Sequence, residues 1–310
     1  MEFALVIALV QTMLGATWRL ATPLIYASIG EMFTERSGVL NIGLEGIMLF
    51  GAFAGFAAGT YSGTPMVGLI AAIVIGLLAG LLFAVFTVTI KANQIVVGAA
   101  LNMIGLGMTG FLYRTMFDIS TKGVKTFPPI EVPFLGRIPL IGDIASNQSI
   151  LVYATLLLVP AASFLLYRTG FGLAVRSVGE HPKAADTVGI SVMRIRYACC
   201  MLGGALAGVG GAFLTLSHTN TFIEGMVAGR GFIALAVVVF GRWKPWGIFG
   251  ASLLFGVFYA LQLHLQAMTN SVIPYQFWQA LPYLATLIVL VALRGRAGAP
   301  RALGVPYNAR

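Results

Sequence analysis

Apolar runs long enough to cross a bilayer recur along the whole chain, and they limit the fold more than any other feature. Ten candidate segments fall at about 3–16, 20–33, 38–58, 66–90, 93–117, 148–168, 196–218, 226–240, 245–265 and 275–293. A hydrocarbon core roughly 30 Å thick takes about 20 helical residues to span. The first two segments and the eighth are short by that measure, so they are re-entrant, broken or merged with a neighbour. Residues 3–33 can also form one long bent element interrupted at Trp18-Arg19. Apolar residues make up 58% of the 310 and charged residues 9%, whereas a soluble domain is typically about a quarter charged. The ten-residue alternation of an outer-membrane barrel is absent, and helices are the other way to satisfy backbone groups in lipid. The expected fold is an all-α polytopic transmembrane bundle of about 8–10 spans. It occupies residues 1–293, followed by a loose basic tail over 294–310.

The net charge of +9 does not point to nucleic acid, because the cations stand singly between spans and form no stripe. They set orientation instead, since Lys and Arg gather in cytoplasmic loops. With both termini in the cytoplasm, 13 of the 19 basic residues fall inside and 6 outside. The N-terminal MEFALVIALV has no basic leader region and reads as a first membrane segment. Two loops are long: an outer one at about 118–147, rich in proline, and an inner one at about 169–195. Arg242 and Lys244, with Trp243 and Trp246, read as an interfacial anchor.

Several chemistries are missing from the sequence. There is no G-x-x-x-x-G-K-[ST], so the chain itself holds no P-loop and no ATP is assigned to it. Neither H-E-x-x-H nor G-x-S-x-G occurs. His181, His218 and His264 lie far apart, and the adjacent Cys199 and Cys200 read as small apolar residues. No catalytic or metal site is expected, and transport is the remaining role for such a bundle. Gly51, Gly55 and Gly59, the pair Gly76 and Gly80, and the pair Gly204 and Gly208 recur at four-residue spacing. Such stripes let helix backbones approach closely.

Polar residues inside spans face the bundle interior, since lipid contact is costly. The stretch SGVLNIGLEGIMLFGA carries Asn41 and Glu45 at i and i+4, which would share one helical face. With Asn93 and Asn102 of the next-but-one span they are candidates for a translocation path. The alternative is bonding between helices, and for Glu45 a bond to a neighbouring backbone amide or a protonated carboxyl donating to a helix carbonyl. His218, Thr219, Asn220 and Glu224 form a polar cluster after the seventh span. It is either a wet loop or a contact for an extracytoplasmic partner.

The 169–195 loop holds the most organised polar sequence. Gly179 and Pro182 bracket Glu180-His181, KAADTV forms a short helix, and Gly189 ends it. Such a helix lies across the membrane surface. It is either a docking element or a solvated connector.

The run RSVGEHPKAADTVGISVMRIRYACCMLGGALAGVGGAF resembles the cytoplasmic-loop signature of binding-protein-dependent ABC import permeases. It is closest to the branch for branched-chain amino acids, ribose-type sugars and nucleosides. ERSGVLNIGLEGIMLFGAF and GRGFIALAVVVFGRWKPWGIFGASLLFG match the same branch in order. The resemblance is to the shorter permease subunit of nucleoside or simple-sugar systems, in a bacterial plasma membrane. It implies coupling residues at Gly179, Glu180, Ala184, Ala185, Asp186 and Gly189. It also implies partner ATPase subunits that bind ATP, a second and non-identical permease, and an extracytoplasmic binding protein. Transport of branched-chain amino acids by the same machine, and a self-sufficient secondary transporter with Glu45 as proton site, are the competing readings.

Overall fold

The computed structural model describes residues 2–117, 123–131, 147–268, 275–282, 284, 287 and 298–307. Most of the expected 118–147 loop, much of the last expected span and the ends of the 294–310 tail lie outside the described residues.

Helix α1 runs unbroken from Glu2 to Arg36, with Pro23 inside it. The two segments expected at 3–16 and 20–33 are therefore one element, and Trp18-Arg19 lies within it. Pro23 removes the N–H that would pair with the Arg19 carbonyl, a loss that a helix packed on several sides tolerates. The Thr17 and Thr22 hydroxyls each donate to a carbonyl one turn back. At 1.5 Å per residue its 35 residues separate its ends by about 52 Å. The described C-terminal residues pack at the Arg36 end, where Ala302 N–H donates to the Gly179 carbonyl and Gly304 N–H to the Gly38 carbonyl. The residue-2 end of α1 and the tail thus stand at opposite ends of the bundle. Fusing two expected spans changes the parity. Among the Lys and Arg residues the fusion affects Arg19 alone, which moves from an expected outer loop into α1, because no basic residue precedes it.

A turn at Ser37–Gly43, with Gly38 at φ +91°, leads into α2 (Leu44–Ser62). Helix α3 (Pro65–Ala84) ends in a π-turn at Val85–Thr89, and α4 covers Gln94–Met116. Strands β1 (Pro129–Glu131) and β2 (Asn147–Ser149) pair antiparallel, with Ile130 opposite Gln148. Then come α5 (Ile150–Arg168), α6 (Gly170–Glu180), α7 (Pro182–Thr187) and α8 (Val192–Phe213), which ends in a second π-turn at Leu214–Thr219. The half-length α9 (Arg230–Phe240), α10 (Pro245–Met268) and the short α11 (Tyr275–Gln279) complete the described elements. Six of these helices are long and apolar enough to cross a membrane, and α1 is longer still.

Helix α8 is the centre, packed against α1, α2 and α3. Glycine stripes make that possible. A Cβ on Gly51 would strike the Gly208 backbone, one on Gly76 the Gly204 carbonyl, and one on Gly80 the Cys200 carbonyl. Backbones this close gain dispersion contact along their length, which is what drives helix association where lipid removes the hydrophobic term. Outward faces are apolar: Leu157, Met103 and Phe111 are largely exposed, as lipid contact allows.

Two further expectations are corrected. The tail is not loose over 298–307: besides the two backbone bonds above, the Arg196 guanidinium donates to the Val305 carbonyl and the Tyr307 hydroxyl to Asp186. Trp243 is no interfacial anchor, being 2% exposed. Its indole donates to the Glu35 carboxylate, and Arg36 donates twice to its carbonyl. Trp246 is exposed, as expected.

Candidate functional site

Two sites stand out, one around the start of α2 and one on the 169–195 loop. Helix α2 starts at Leu44, so Asn41 precedes it and does not share a helical face with Glu45. The i, i+4 argument fails because Gly38 and Gly43 keep the chain in a turn. Asn41 is buried and works on backbone: its N–H donates to Glu31 at 2.9 Å, and its side-chain oxygen accepts from Gly43 N–H at 3.0 Å. Asn102, from α4, accepts from Gly46 N–H at 2.8 Å and donates to the Ile42 carbonyl at 3.0 Å. It thereby caps the first turn of α2 from outside, satisfying an N–H that the helix itself leaves unpaired. Asn93 is the N-cap of α4, accepting from Ile95 and Val96 N–H, and its neighbour Gln94 accepts from Leu40 N–H.

Glu45 makes the longest connection of this group. One carboxylate oxygen accepts from Gly229 N–H and the other from Gly231 N–H, both at 2.7 Å. These amides open α9, whose N-cap Gly229 sits at φ +82°. A carboxylate placed here meets unpaired donors and the positive end of the helix dipole. The glycine at 231 is required by contact, since a Cβ there would overlap the Glu45 backbone. The structure therefore realises the backbone-amide alternative for Glu45: it holds the mouth of a half-helix inside the bundle.

On the 169–195 loop, α7 lies outside the bundle and Gly189 ends it at φ +85°. Gly189 N–H bonds the Asp186 carbonyl and Ile190 N–H bonds the Ala185 carbonyl. Ala185 is buried against Val178 and Val192, so it locks α7 to its supports, while Ala184 is exposed. Helices α6 and α7 bound a groove of about 410 Å³ whose walls include Leu173, Glu180, Ala184 and Val188. Leu173 and Val188 are 57% and 73% exposed there. Gly179 is elsewhere: it is pressed on the Arg36 carbonyl and has no place on the groove. Asp186 is held by Tyr307, whose phenol is raised above its ordinary value by that hydrogen bond, by burial and by the Asp186 charge.

Reading the sequence missed the buried polar set at the Arg36 end, formed by Glu31, Glu35, Trp243 and Arg196. Arg196 is 1% exposed and donates to the Ser37 and Val305 carbonyls. Glu31 and Glu35 are spaced i, i+4 within an apolar helix, the same signal that singled out Asn41 and Glu45, and it could have found them. In the outer cluster, Glu224 pairs in a fork with Arg114, which holds its carboxyl below the usual range. Among the described residues no three His, Cys, Asp or Glu side chains gather as a metal site.

The chain matches the family model described as branched-chain amino acid transport system / permease component over residues 13–293. It is 38% identical to the guanosine ABC transporter permease protein NupQ of Bacillus subtilis, over 97% of this chain and 98% of that one. It is 40% identical to the nucleoside ABC transporter permease protein NupC of Lactococcus lactis subsp. cremoris, over 93% of each. A second Lactococcus protein, the nucleoside ABC transporter permease protein NupB, is 26% identical over 91% of this chain and 79% of its own length.

Proposed function

Because the chain belongs to the branched-chain amino acid transport system permease family, and is a multi-pass membrane protein, we propose that it is the permease subunit of an ATP-driven nucleoside importer. The exposed apolar groove between α6 and α7 carries this reading. A short helix held outside the bundle, with Ala184 presented beside Leu173 and Val188, suits a partner and not the chain's own packing. That partner is an ATPase subunit, which would bind the ATP. The names of NupQ and NupC favour nucleosides over branched-chain amino acids. The likeness to both NupC and NupB within one organism supports a second, non-identical permease beside this chain. An extracytoplasmic binding protein would deliver solute. Family membership leaves a self-sufficient secondary transporter with nothing to rest on.

Movement at the groove has a mechanical route inward. Gly179 abuts the end of α1. Glu35 and Arg36 at that end grip Trp243, just past the end of α9. Glu45 grips the other end of α9. A shift of α6 and α7 thus reaches a half-helix held at both ends, the kind of discontinuous element around which alternating access is built. Asn41, Asn93 and Asn102 set the turn and helix starts beside it, so that the path forms on rigid supports. The groove and the 298–307 tail face the cytoplasm, where 13 of the 19 Lys and Arg residues fall, and the residue-2 end of α1 faces the opposite side of the plasma membrane.

The test is co-purification in mild detergent followed by uptake in vesicles. A P-loop ATPase and a second permease are expected with this chain, and labelled nucleoside should accumulate only with ATP and the binding protein present. Ala184→Trp together with Gly189→Val should leave membrane insertion intact and sever uptake from ATP hydrolysis. Uptake driven by an ion gradient with this chain alone would sink the proposal.

A further inference from the structure

A polar cavity beside the mouth of α9 is unused by the coupling route. We infer that this cavity is a solute-contacting site, contributed by this chain, for an uncharged nucleoside; the inference rests on the importer reading. The first reason is the backbone around it. Helix α8 loosens into its π-turn at Leu214–Thr219, Asn220 follows at φ +59°, and Gly225, Ala228 and Gly229 are all left-handed before α9 begins. Irregular backbone at membrane depth is tolerated where it is buried in protein or lines a cavity. Here it borders one of about 330 Å³, within the range of roughly 300–1,000 Å³ for small-molecule sites.

The second reason is the lining. His218 comes from the end of α8, Arg230 from the first turn of α9, and Tyr259 and Gln262 from one stretch of α10, with Leu20 and Leu263 as apolar walls. Among the described residues no carboxylate lines the cavity, and both oxygens of the nearby Glu45 are turned to the Gly229 and Gly231 amides. The ammonium of an amino acid would find no counter-charge, which separates this cavity from one built for branched-chain amino acids. Arg230 is held in place: it donates to the Met226 and Val227 carbonyls and stacks 5.3 Å from the Tyr259 ring centroid. A fixed guanidinium plane with spare N–H groups suits the flat, acceptor-rich edge of a nucleobase. Gln262 and His218 offer both donors and acceptors, which ribose hydroxyls require. A monosaccharide would use the hydrogen-bonding groups and leave the flat surface idle.

The experiment uses the assembled transporter in vesicles, with Leu263→Cys in this chain. Cys199 and Cys200 are fully buried, so within this chain a thiol-reactive probe reads the introduced position. Leu263 is 50% exposed and its loss removes no polar contact, so assembly should survive. Guanosine supplied with the binding protein and ATP should slow labelling several-fold, and ribose or leucine should not. In the same complex Gln262→Leu should lower guanosine uptake per ATP hydrolysed by about three- to tenfold, as expected for one lost neutral hydrogen bond. Guanosine uptake without protection would overturn the site while leaving the importer intact. Protection by ribose or leucine in place of guanosine would overturn the solute class, and absence of both uptake and protection would overturn site and importer together.

Discussion

Removing the carboxylate at position 45 should release α9 at its N-terminal end. Glu45→Ala deletes two bonds, to Gly229 and Gly231 N–H, both at 2.7 Å. Side-chain hydrogen bonds inside membrane proteins average about 0.6 kcal/mol by double-mutant cycles, and bonds to an ionised acceptor are roughly twice as strong as neutral ones. Two such bonds come to about 2–3 kcal/mol, or roughly a 30- to 140-fold shift in the balance between seated and unseated α9. Glu45→Gln keeps one acceptor oxygen and loses the charge, so one neutral bond remains and the effect should be about three-quarters as large in free energy. Hydrogen exchange at residues 229–233 in the assembled complex measures the opening, and ATP-driven uptake in the same preparation measures the consequence. Exchange should rise in the order wild type, Gln, Ala, with uptake per ATP falling in parallel. If both variants abolish uptake equally while exchange at 229–233 stays at the wild-type level, Glu45 acts on solute or a proton and the capping argument is refuted.

The remaining expectations probe other contacts. Gly76→Val drives a side chain into the Gly204 carbonyl and should lower thermal stability in detergent at or beyond the upper end of the usual 1–3 kcal/mol for overpacking, about 3 kcal/mol. Gly107→Ala, where a Cβ meets open space, should be neutral or slightly stabilising. Tyr307→Phe removes the tail's bond to Asp186 and should raise protease sensitivity of the tail and weaken coupling, without affecting assembly. Because the Tyr307 phenol is raised in the fold, that contact is present below about pH 10 and is lost as pH climbs through the raised value. The Glu224 carboxyl is lowered by Arg114, so the tie between α4 and the 220–229 loop should hold above about pH 4.5 and loosen as pH falls through the lowered value. Hydrogen exchange of that loop against pH reads it, and Arg114→Gln should erase the pH dependence.

Apolar run length alone determined that this chain is a helical membrane bundle, because lipid leaves the backbone no other partner than itself. Local signals placed the short helix at 183–188, one residue from the observed Pro182–Thr187, and its Gly189 stop, since short helix formers and a left-handed glycine act locally. Apolar run length did not decide whether the two first segments fuse into α1, because that depends on whether packing continues past Trp18-Arg19. The roles of Asn41, Glu45 and Asn102 were out of reach for the same kind of reason. The sequence marks them as polar groups that must be satisfied in lipid. Which amides satisfy them, on α9 184 and 186 residues away for Glu45, is decided by where the glycine-lined helices come to rest. The tail shows the same division. Its basic, Gly- and Pro-rich composition fits a free end, and only the tertiary structure supplies the Gly38 and Gly179 carbonyls, Arg196 and Asp186 that hold it.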